Sequence, residues 1–340
     1  MALRWVDSFD RYGTPQLPLR YPGSAAGASL LVAAGRRPDT SALVPGATDD
    51  VRFTLTGTAT LISGCAVYAT TVTTNTPLMR VRRAGLIQAT LGRTAGGAVF
   101  VARGDLTGAI LGASAAGVLA PNTYASLAWQ ILPDPVAGLT TVVVNGSTVL
   151  TLTGVNTAGS TAAGYDDLGL CGDTAGAQRF VDWYVLDATG PPPNALLPED
   201  VRVDAVAPSG PGTHGTWAPS SDALTRWQCV DDDGIPNEDA DYTATSIHGI
   251  ADSFTPDTAP LPGATIYGAQ VSLVARRVDT TPVPATLAPL VRQFGVDVVA
   301  APVTLPATAL YGYVTVPVAP PDVTHGQAWF SVLEFGYKRP

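Results

Sequence analysis

The chain has 340 residues, of which 28 are acidic and 19 are basic, so its formal net charge is −9. Hydrophobic residues make up 46% and charged residues 14%, which predicts a folded protein, because disordered chains combine low hydrophobicity with high charge. The acidic balance argues against general nucleic-acid binding, which needs a basic surface. No apolar run approaches the ~18 residues of a membrane helix. The N-terminal sequence MALRWVDSFDRYG has no apolar segment of the kind found in secretory signals.

Short runs of alternating apolar and polar residues, bounded by Gly, Pro, Asn or Asp, occur along the whole chain. Such runs are typical of β-strands, whereas the longer periodicity of amphipathic helices is hard to find. The predicted strands are Val51–Leu55, Leu127–Ile131, Thr140–Val144, Thr148–Leu152, Phe180–Leu186, Thr265–Ala275 and Ala328–Phe335. The sequence therefore predicts an all-β protein built from sandwiched or closed sheets.

The most compact basic group is Arg80-Val-Arg-Arg83. In a strand, Arg80 and Arg82 share one face and Arg83 lies on the other. Two interpretations remain, an anion-binding site and a solvent-exposed sheet face, and the second is favoured.

The clearest local unit is a hairpin centred on Asn145-Gly146, which lies between two β-branched runs. Both residue types tolerate positive φ, so this pair predicts a tight two-residue turn. Asn145-Gly146-Ser147 also matches a glycosylation sequon, but the turn is the favoured interpretation. The neighbouring Trp129 and Trp183 lie in alternating strands and are expected in the core.

Aspartates of the first half lie near strand ends and do not suggest a facing pair. Glycoside hydrolysis needs two carboxyl groups across one bond, and residues 1–195 contain no glutamate. On simple alternation Asp182 would point away from Val181 and Trp183, as a solvated or arginine-paired side chain. The aspartates concerned are Asp166, Asp167, Asp182 and Asp187.

A boundary is predicted near Gly190-Pro-Pro-Pro-Asn-Ala195, because consecutive prolines cannot donate to a central strand. Residues 1–195 contain 12 basic and 12 acidic side chains, whereas residues 196–340 contain 7 and 16, so the net charge belongs to the second half. We expect a first domain over residues 1–192, a Pro-rich linker over residues 193–200 and a second β-sandwich domain over residues 201–340.

Two features of the second half are candidate ligand sites. Trp217 and Trp227 flank a polar loop and are less clearly core residues than the other tryptophans. The following acidic run has the carboxylate density of a Ca²⁺ site without the EF-hand pattern, so a solvated acidic loop is the favoured alternative. Its candidate metal ligands are Asp231, Asp233, Glu238, Asp239 and Asp241.

Other catalytic signatures are missing from the sequence. The only lysine is Lys338, which excludes a P-loop, and the histidines have no metal-binding spacing. The cysteines are expected to be buried thiols, with a Cys65–Cys171 pair as the alternative. We therefore predict that the protein is not an enzyme and needs no cofactor other than a candidate Ca²⁺. The histidines are His214, His248 and His325.

Five segments of the first half follow one another in a characteristic order. They are Tyr124–Trp129, Thr141–Val149, Asn156–Thr157, Asp167–Leu170 and Arg179–Asp187. Their order and spacing resemble a concanavalin A-like (laminin-G-like) jelly roll, in which a hairpin with a V-N-G turn precedes a final strand ending in Asp. The resemblance covers about residues 1–190 and implies a jelly-roll sandwich. This sequence lacks the Glu-x-Asp-x-Glu pattern of the glucanase members of that family.

A second set of segments lies in the C-terminal half. They are Pro198–Asp204, Thr216–Ser220, Trp227–Asp231, Asp241–Tyr242, Gly249, Asp252–Phe254 and Val271–Arg277. They resemble a module of tailed-bacteriophage structural proteins that commonly follows a jelly roll. The resemblance implies a non-enzymatic virion component in the tail, tail tip, fibre or head spike, assembled in the host cytoplasm.

The implied partners are other virion proteins, further copies of the chain and a host surface glycan, without nucleic acid or membrane insertion. Two alternatives remain open: a carbohydrate-binding module outside any virion, and a degenerate glycoside hydrolase. A facing carboxylate pair in a groove would favour the hydrolase.

Overall fold

The protein is all-β, with short helical turns between strands. The computed structural model describes residues 2–24, 29–47, 50–173, 178–190, 192–197, 200–221, 224–232, 239–258, 263–278, 285–305, 312–318 and 327–340. The chain divides into two compact units, Met1–Asp204 (unit 1) and Ala205–Pro340 (unit 2). No helix of the described ranges is long and apolar enough to cross a membrane.

Unit 1 consists of short strands with two short helical segments near its N-terminus. A 3₁₀ turn spans Thr14–Gln16 and α1 spans Leu17–Arg20. The strands are β1 (Leu3–Asp7), β2 (Leu30–Val32), β3 (Ala42–Val44), β4 (Asp50–Gly57), β5 (Leu61–Tyr68), β6 (Thr76–Arg83), β7 (Leu86–Arg93), β8 (Val99–Arg103), β9 (Ile110–Ala113), β10 (Tyr124–Leu132), β11 (Gly138–Val144), β12 (Ser147–Val155), β13 (Tyr165–Cys171) and β14 (Arg179–Asp187).

These strands form two antiparallel sheets that enclose one core. Sheet A has the order β12-β11-β10-β5-β14-β3-β2, with β1 also paired to β14, and sheet B has the order β4-β13-β6-β7-β8-β9. Apolar residues from alternate positions of both sheets fill the space between them. The predicted jelly-roll sandwich is thus confirmed.

Trp129 and Trp183 are fully buried in this core, as the sequence predicts. Each indole N–H has a hydroxyl partner, which removes the cost of burying a donor. Trp129 donates to Thr140 Oγ1 at 2.9 Å, and Trp183 donates to Ser63 Oγ at 3.0 Å.

The predicted hairpin is present between β11 and β12. Asn145 and Gly146 both have positive φ, at 48° and 74°, as the tight turn requires. Val142 and Val144 are buried, and Val149 packs against the same core. The Asn145 Oδ1 accepts the N–H of Ser126 at 2.9 Å, which also ties the turn to β10.

Asp182 lies in a bulge of β14, so the simple alternation predicted there is wrong. The register shifts between Val181 and Tyr184, and Asp182 has φ of 54°. Because of the extra residue, Val181 packs in a small cluster with Ala42 while Trp183 lies in the main core.

The bulge also holds the segment that follows the proline spacer. Asp182 is 1% exposed and contacts Arg36 Nε and Arg37 Nη2, each at 2.8 Å, so the arginine-paired alternative is present and the solvated one is not. The N–H of Val203 donates to Asp182 Oδ1 at 2.8 Å. Residues 200–204 therefore belong to unit 1, and the compact units divide after Asp204.

Unit 2 contains shorter and less regular strands. Its helical segments are a 3₁₀ turn at Arg226–Cys229 and α2 at Gln327–Phe330. The strands are β15 (Pro208–Gly215), β16 (Ala218–Pro219), β17 (Thr243–Ala244), β18 (Ala251–Pro256), β19 (Ala269–Ala275), β20 (Thr286–Gln293), β21 (Val296–Val299), β22 (Val303–Thr304), β23 (Gly312–Val318) and β24 (Glu334–Lys338).

Sheet C has the order β15-β18-β24-β20-β21, with β22 paired to the other end of β20. The two-stranded sheet β19–β23 packs against it, because Val271 and Val314 share buried clusters with residues of sheet C. Unit 2 is thus a second, smaller β-sandwich, as predicted.

Two predicted strands of unit 2 differ from the structure. The first, Thr265–Ala275, is shorter, since β19 begins at Ala269. The second, Ala328–Phe335, is wrong in its first half, where α2 ends at Phe330 and β24 begins at Glu334. Trp329 in α2 and Leu333, which lies between α2 and β24, are both buried in one cluster.

Candidate functional site

Six charged side chains gather on the outward face of sheet B. The intervening residues Val51, Val81 and Leu168 are buried in the core, so alternation turns the charged neighbours outward. The loop after β8 contributes the last member. We call this surface the arginine–aspartate face, and its members are Asp50, Arg52, Arg80, Arg82, Asp105 and Asp167.

Strand register brings these distant residues together. On β13, Asp167 lies opposite Arg82 of β6, and Gly169 lies opposite both Arg52 of β4 and Arg80 of β6. The sequence predicts correctly that Arg80 and Arg82 share a face. It does not predict their acidic partners, because pairing between distant strands leaves no local signal.

The guanidinium and carboxylate groups alternate across the face. Arg80 contacts Asp50 at 3.2 Å and Asp105 at 2.8 Å through its two terminal nitrogens. Arg82 contacts Asp50 through Nη2, and its Nη1 lies 3.4 Å from Asp167 Oδ1. Arg52 Nη1 lies 3.7 Å from Asp167 Oδ2. Three arginines thus balance three aspartates.

The face is partly accessible to solvent. The side chains of Asp50 and Arg82 are under a tenth exposed, whereas those of Arg52 and Asp105 are 29% and 46% exposed. The favoured solvent-exposed interpretation of Arg80–Arg83 is therefore wrong for Arg82, which its aspartate partners hold against the sheet. Arg52 and Asp105 form the accessible rim.

Gly169 gives the arginines room to lie on the sheet. A Cβ atom at this position would stand 3.1 Å from Arg52 Cγ and 3.3 Å from Arg82 Nη1. Any side chain there would displace at least one of them. The glycine therefore leaves the space that the aliphatic part of Arg52 and the guanidinium of Arg82 occupy.

Burial raises the pKa of Asp167, and the charges of Arg82 and Arg52 only partly oppose this effect. A carboxyl group with a raised pKa is a feature of acid catalysts. Hydrolysis would also need a second carboxylate that is free to act as base or nucleophile. On this face each aspartate contacts an arginine, so the face offers fixed donors and acceptors instead of a free carboxylate pair.

The two candidate tryptophans lie in unit 2 and are partly buried. Both pack against the cluster that contains Phe254 and Tyr337. Trp217 meets Tyr337 edge-on with ring centroids 4.7 Å apart, and its buried indole N–H has no hydrogen-bond partner in the described ranges. Ligand binding by Trp217 or Trp227 stays a prediction.

The acidic run is only partly described, since Asp233 and Glu238 lie outside the described residues. Asp239 forms an ion pair with Arg276. Burial raises the pKa of Asp231, and the charge of Asp241 adds to the effect. The described ranges contain no group of three side chains that could hold a metal ion, and Ca²⁺ binding stays a prediction.

The remaining reactive residues occupy structural positions. The three cysteines are buried and unbridged, and burial raises the pKa of Cys171 to about 12, so the thiolate is disfavoured. His214 contacts Asp297 at 2.7 Å, and His248 contacts the carbonyl of Pro340. His325 lies outside the described residues.

Comparison with known proteins gives partial structural similarities. No family model matches the sequence, and a search of curated proteins finds no match. Galectin LEC-6 of Caenorhabditis elegans is 13% identical, with 40% of this chain and 89% of the galectin covered and a TM-score of 0.30. Domain 4 of AbnA, a GH43 extracellular arabinanase of Geobacillus stearothermophilus solved with arabinotriose, is 13% identical. This match covers 47% of this chain and 76% of the arabinanase domain, with a TM-score of 0.34.

A Trypanosoma rangeli sialidase, solved with the inhibitor DANA, is 11% identical with a TM-score of 0.33. The match covers 46% of this chain and 27% of the sialidase, so the chain spans about a quarter of that protein. At these scores the similarities assign neither a family nor a function.

Proposed function

We propose that the protein is a non-enzymatic binding protein that holds a neutral glycan on the arginine–aspartate face of unit 1. The observation that carries the proposal is the alternation of three guanidinium and three carboxylate groups on one face of a sheet. Side chains on paired strands are held more rigidly than those on loops, which suits them to orient a ligand.

The chemistry of the face fits a hydroxyl-rich ligand. A hydroxyl group both donates and accepts hydrogen bonds, whereas a carboxylate only accepts and a guanidinium only donates. Adjacent hydroxyls of a sugar can therefore bridge an arginine and an aspartate, such as Arg80 and its partner Asp105, which lies at the accessible rim. Because the charges balance, an acidic glycan would have to displace an aspartate from its arginine.

The same contacts argue against hydrolysis. The acid of a glycosidase must hold a proton, and its partner must act as base or nucleophile. Asp50 contacts Arg80 and Arg82, and Asp105 contacts Arg80, so neither is a free carboxylate. Asp167, with its raised pKa, would have no such partner on this face.

Binding can be tested with a panel of neutral and acidic oligosaccharides, followed by calorimetric titration of the best ligand. Arg52→Ala should weaken binding by about 10- to 100-fold, because a hydrogen bond to a charged group contributes about 1.5–3 kcal/mol. Arg103→Ala is the matched control, since Arg103 is exposed at the end of β8 and outside the face. Binding of acidic glycans alone, or equal affinity of wild type and Arg52→Ala, would contradict the proposal.

Hydrolysis is tested separately. Pure protein incubated with the same polysaccharides should release no reducing ends. Reproducible release that is lost in Asp167→Asn would overturn the non-enzymatic part of the proposal and would leave glycan binding intact.

We further propose that the protein is carried on a tailed-phage particle, where its ligand would be a host surface glycan. The support is the resemblance of segments in residues 198–277 to phage structural modules. Mass spectrometry and immunogold labelling of purified particles should detect the chain in the tail, fibre or head spike. If the chain is consistently absent from the purified particles, the result would favour a carbohydrate-binding module outside any virion.

A further inference from the structure

Strand β21 ends sheet C with an unusually apolar edge. All four of its residues are exposed, and Val296 and Val298 remain 64% and 45% exposed. Both side chains lie on the core side of the sheet. Val298 is paired with Val291, which is buried in the core, and paired residues direct their side chains to the same side of a sheet. An exposed apolar edge is a template for a further strand, and natural proteins usually protect such edges.

The register identifies the backbone groups that face outward from the edge. Ala300 donates to the carbonyl of Pro289 at 2.9 Å, and Leu290 lies opposite Val299. In an antiparallel ladder, alternate residues direct both backbone groups to the same neighbour. The backbone N–H and C=O groups of Ala300 and Val298 therefore point to β20, while those of Asp297 and Val299 point away from the sheet.

The one charge on β21 is neutralised within the same unit. Arg292 Nη1 donates to Asp297 Oδ1 at 2.6 Å, and His214 Nε2 contacts Asp297 Oδ2 at 2.7 Å. Charged residues on edge strands normally discourage pairing. Here the paired carboxylate repels a second copy appreciably only where two Asp297 side chains lie directly opposite each other.

The two edges of sheet C differ in their ability to pair. The opposite edge, β15, contains Pro208 and Pro211, which lack the N–H that a new strand would need. β21 contains no proline. Head-to-tail pairing of β15 with β21 is therefore disfavoured, and like-with-like pairing of two β21 strands gives a closed two-fold dimer.

We propose that two copies of the protein associate by antiparallel pairing of β21 with β21, centred on Val298. In this register Asp297 forms a hydrogen-bonded pair with Val299 of the second copy, and the two-fold axis repeats that pair. Val298 faces Val298 of the second copy, in the closer type of cross-strand pair. A register centred on Asp297 would place two like charges opposite each other, which is destabilising.

The first test is sedimentation equilibrium of the full chain at concentrations up to about 1 mM, which spans weak association. Wild type should show a monomer–dimer equilibrium. Val298→Lys should raise the dimer dissociation constant at least about tenfold, because the two-fold axis places both lysines side by side. Leu86→Lys is the matched control, since Leu86 is 60% exposed in unit 1, and it should dimerise like wild type.

The second test is disulfide cross-linking, which also reads the register. Paired Cα atoms at the two-fold axis lie about 4.5 Å apart, within the reach of a disulfide. Val298→Cys should therefore cross-link under mild oxidation. In Val299→Cys the corresponding atoms are diagonal, about 7–8 Å apart, and should not cross-link. The native cysteines are buried and should not compete.

Several results would overturn the proposal. They are a wild-type protein that stays monomeric over the whole range, a dimer unaffected by Val298→Lys, open polymers in place of dimers, and cross-linking of Val299→Cys without Val298→Cys. If Val298→Lys fails to fold by circular dichroism, the cross-linking pair decides alone. Pairing of β21 with a foreign strand, and not with itself, would appear as monomeric wild type and would also reject the proposal.

Discussion

Asp7 depends on three donors from the first 21 residues of the chain. Its Oδ2 accepts hydrogen bonds from Tyr12 Oη at 2.9 Å, Tyr21 Oη at 2.5 Å and Arg20 Nε at 2.7 Å. Burial, with the nearby charge of Asp7, raises the pKa of both tyrosines well above the ordinary value, so they remain hydroxyl donors. The guanidinium of Arg20 also lies over the rings of Trp5 and Tyr12. One carboxylate therefore organises the N-terminal turn.

We predict that Asp7→Asn destabilises unit 1 by about 3–5 kcal/mol, because it removes the charge that neutralises a buried arginine. The side chains of Asp7 and Arg20 are only 2% and 7% exposed, so water cannot solvate the guanidinium of Arg20 once its partner has lost its charge. Chemical denaturation followed by tryptophan fluorescence measures the change.

Asp200→Asn is the matched control for this substitution. Asp200 also pairs with an arginine, Arg36, but its side chain is 55% exposed. Exposed ion pairs contribute about 0–1 kcal/mol, so this variant should be close to wild type. Equal effects of the two substitutions would contradict the role assigned to burial.

At the scale of elements, the hairpin β11–β12 depends on the backbone conformation of its turn. Gly146 has φ of 74°, and a Cβ atom there would meet no atom within 4 Å. A substitution at this position therefore acts through backbone strain alone. Gly146→Val should lower the stability of unit 1 by at least about 1–2 kcal/mol, since a β-branched residue resists positive φ.

The comparison variant is Gly146→Asn, because asparagine tolerates the left-handed region. Thermal unfolding should rank the proteins as wild type, then Gly146→Asn, then Gly146→Val. If Gly146→Val melts at the wild-type temperature, the turn does not limit the stability of the hairpin.

Alternation is enough to predict five strands of unit 1, namely β4, β10, β11, β12 and β14, together with the hairpin, because those signals are local. Trp329 was misplaced because a short apolar run fits both a strand and a helical turn. The bulge at Asp182 was not predictable, since the arginines that hold it come from residues 36 and 37.

The candidate site was predictable only in part, for the same reason. Arg80 and Arg82 signal a basic face by themselves. Their partners Asp50 and Asp167 become neighbours only through the order β4-β13-β6. Pairing order depends on long-range contacts, which a single sequence does not specify.

At the scale of the whole molecule, most of the net charge lies in unit 2. Residues 1–204 contain 13 basic and 15 acidic side chains, a net charge of −2, and residues 205–340 contain 6 and 13, a net charge of −7. The proposed glycan face lies in the weakly charged unit 1 and the proposed dimer edge lies in the acidic unit 2. Long-range repulsion between the acidic units would weaken with added salt, so dimerisation through β21 should strengthen as ionic strength rises.

Unit 1 extends beyond the proline spacer. The sequence places the end of the first domain at residue 192, whereas the compact unit extends to Asp204. Within the additional segment, Leu197 is 7% exposed and lines a cleft with Ala128, Val143 and Tyr184. Arg36 donates to the carbonyl of Val201 at 3.0 Å, which further fixes the segment.

We therefore predict that the fragment 1–204 is more stable than the fragment 1–192. The shorter fragment loses the burial of Leu197, which contributes about 1.5–3 kcal/mol, and the N–H that Val203 donates to the buried Asp182. Side-by-side thermal unfolding measures the difference. In the longer fragment Leu197→Ala should reproduce part of this loss of stability, which separates the burial of Leu197 from the hydrogen bond to Asp182. Equal melting temperatures of the two fragments would place the end of the unit before residue 193 and would make the contacts of residues 200–203 incidental to its stability.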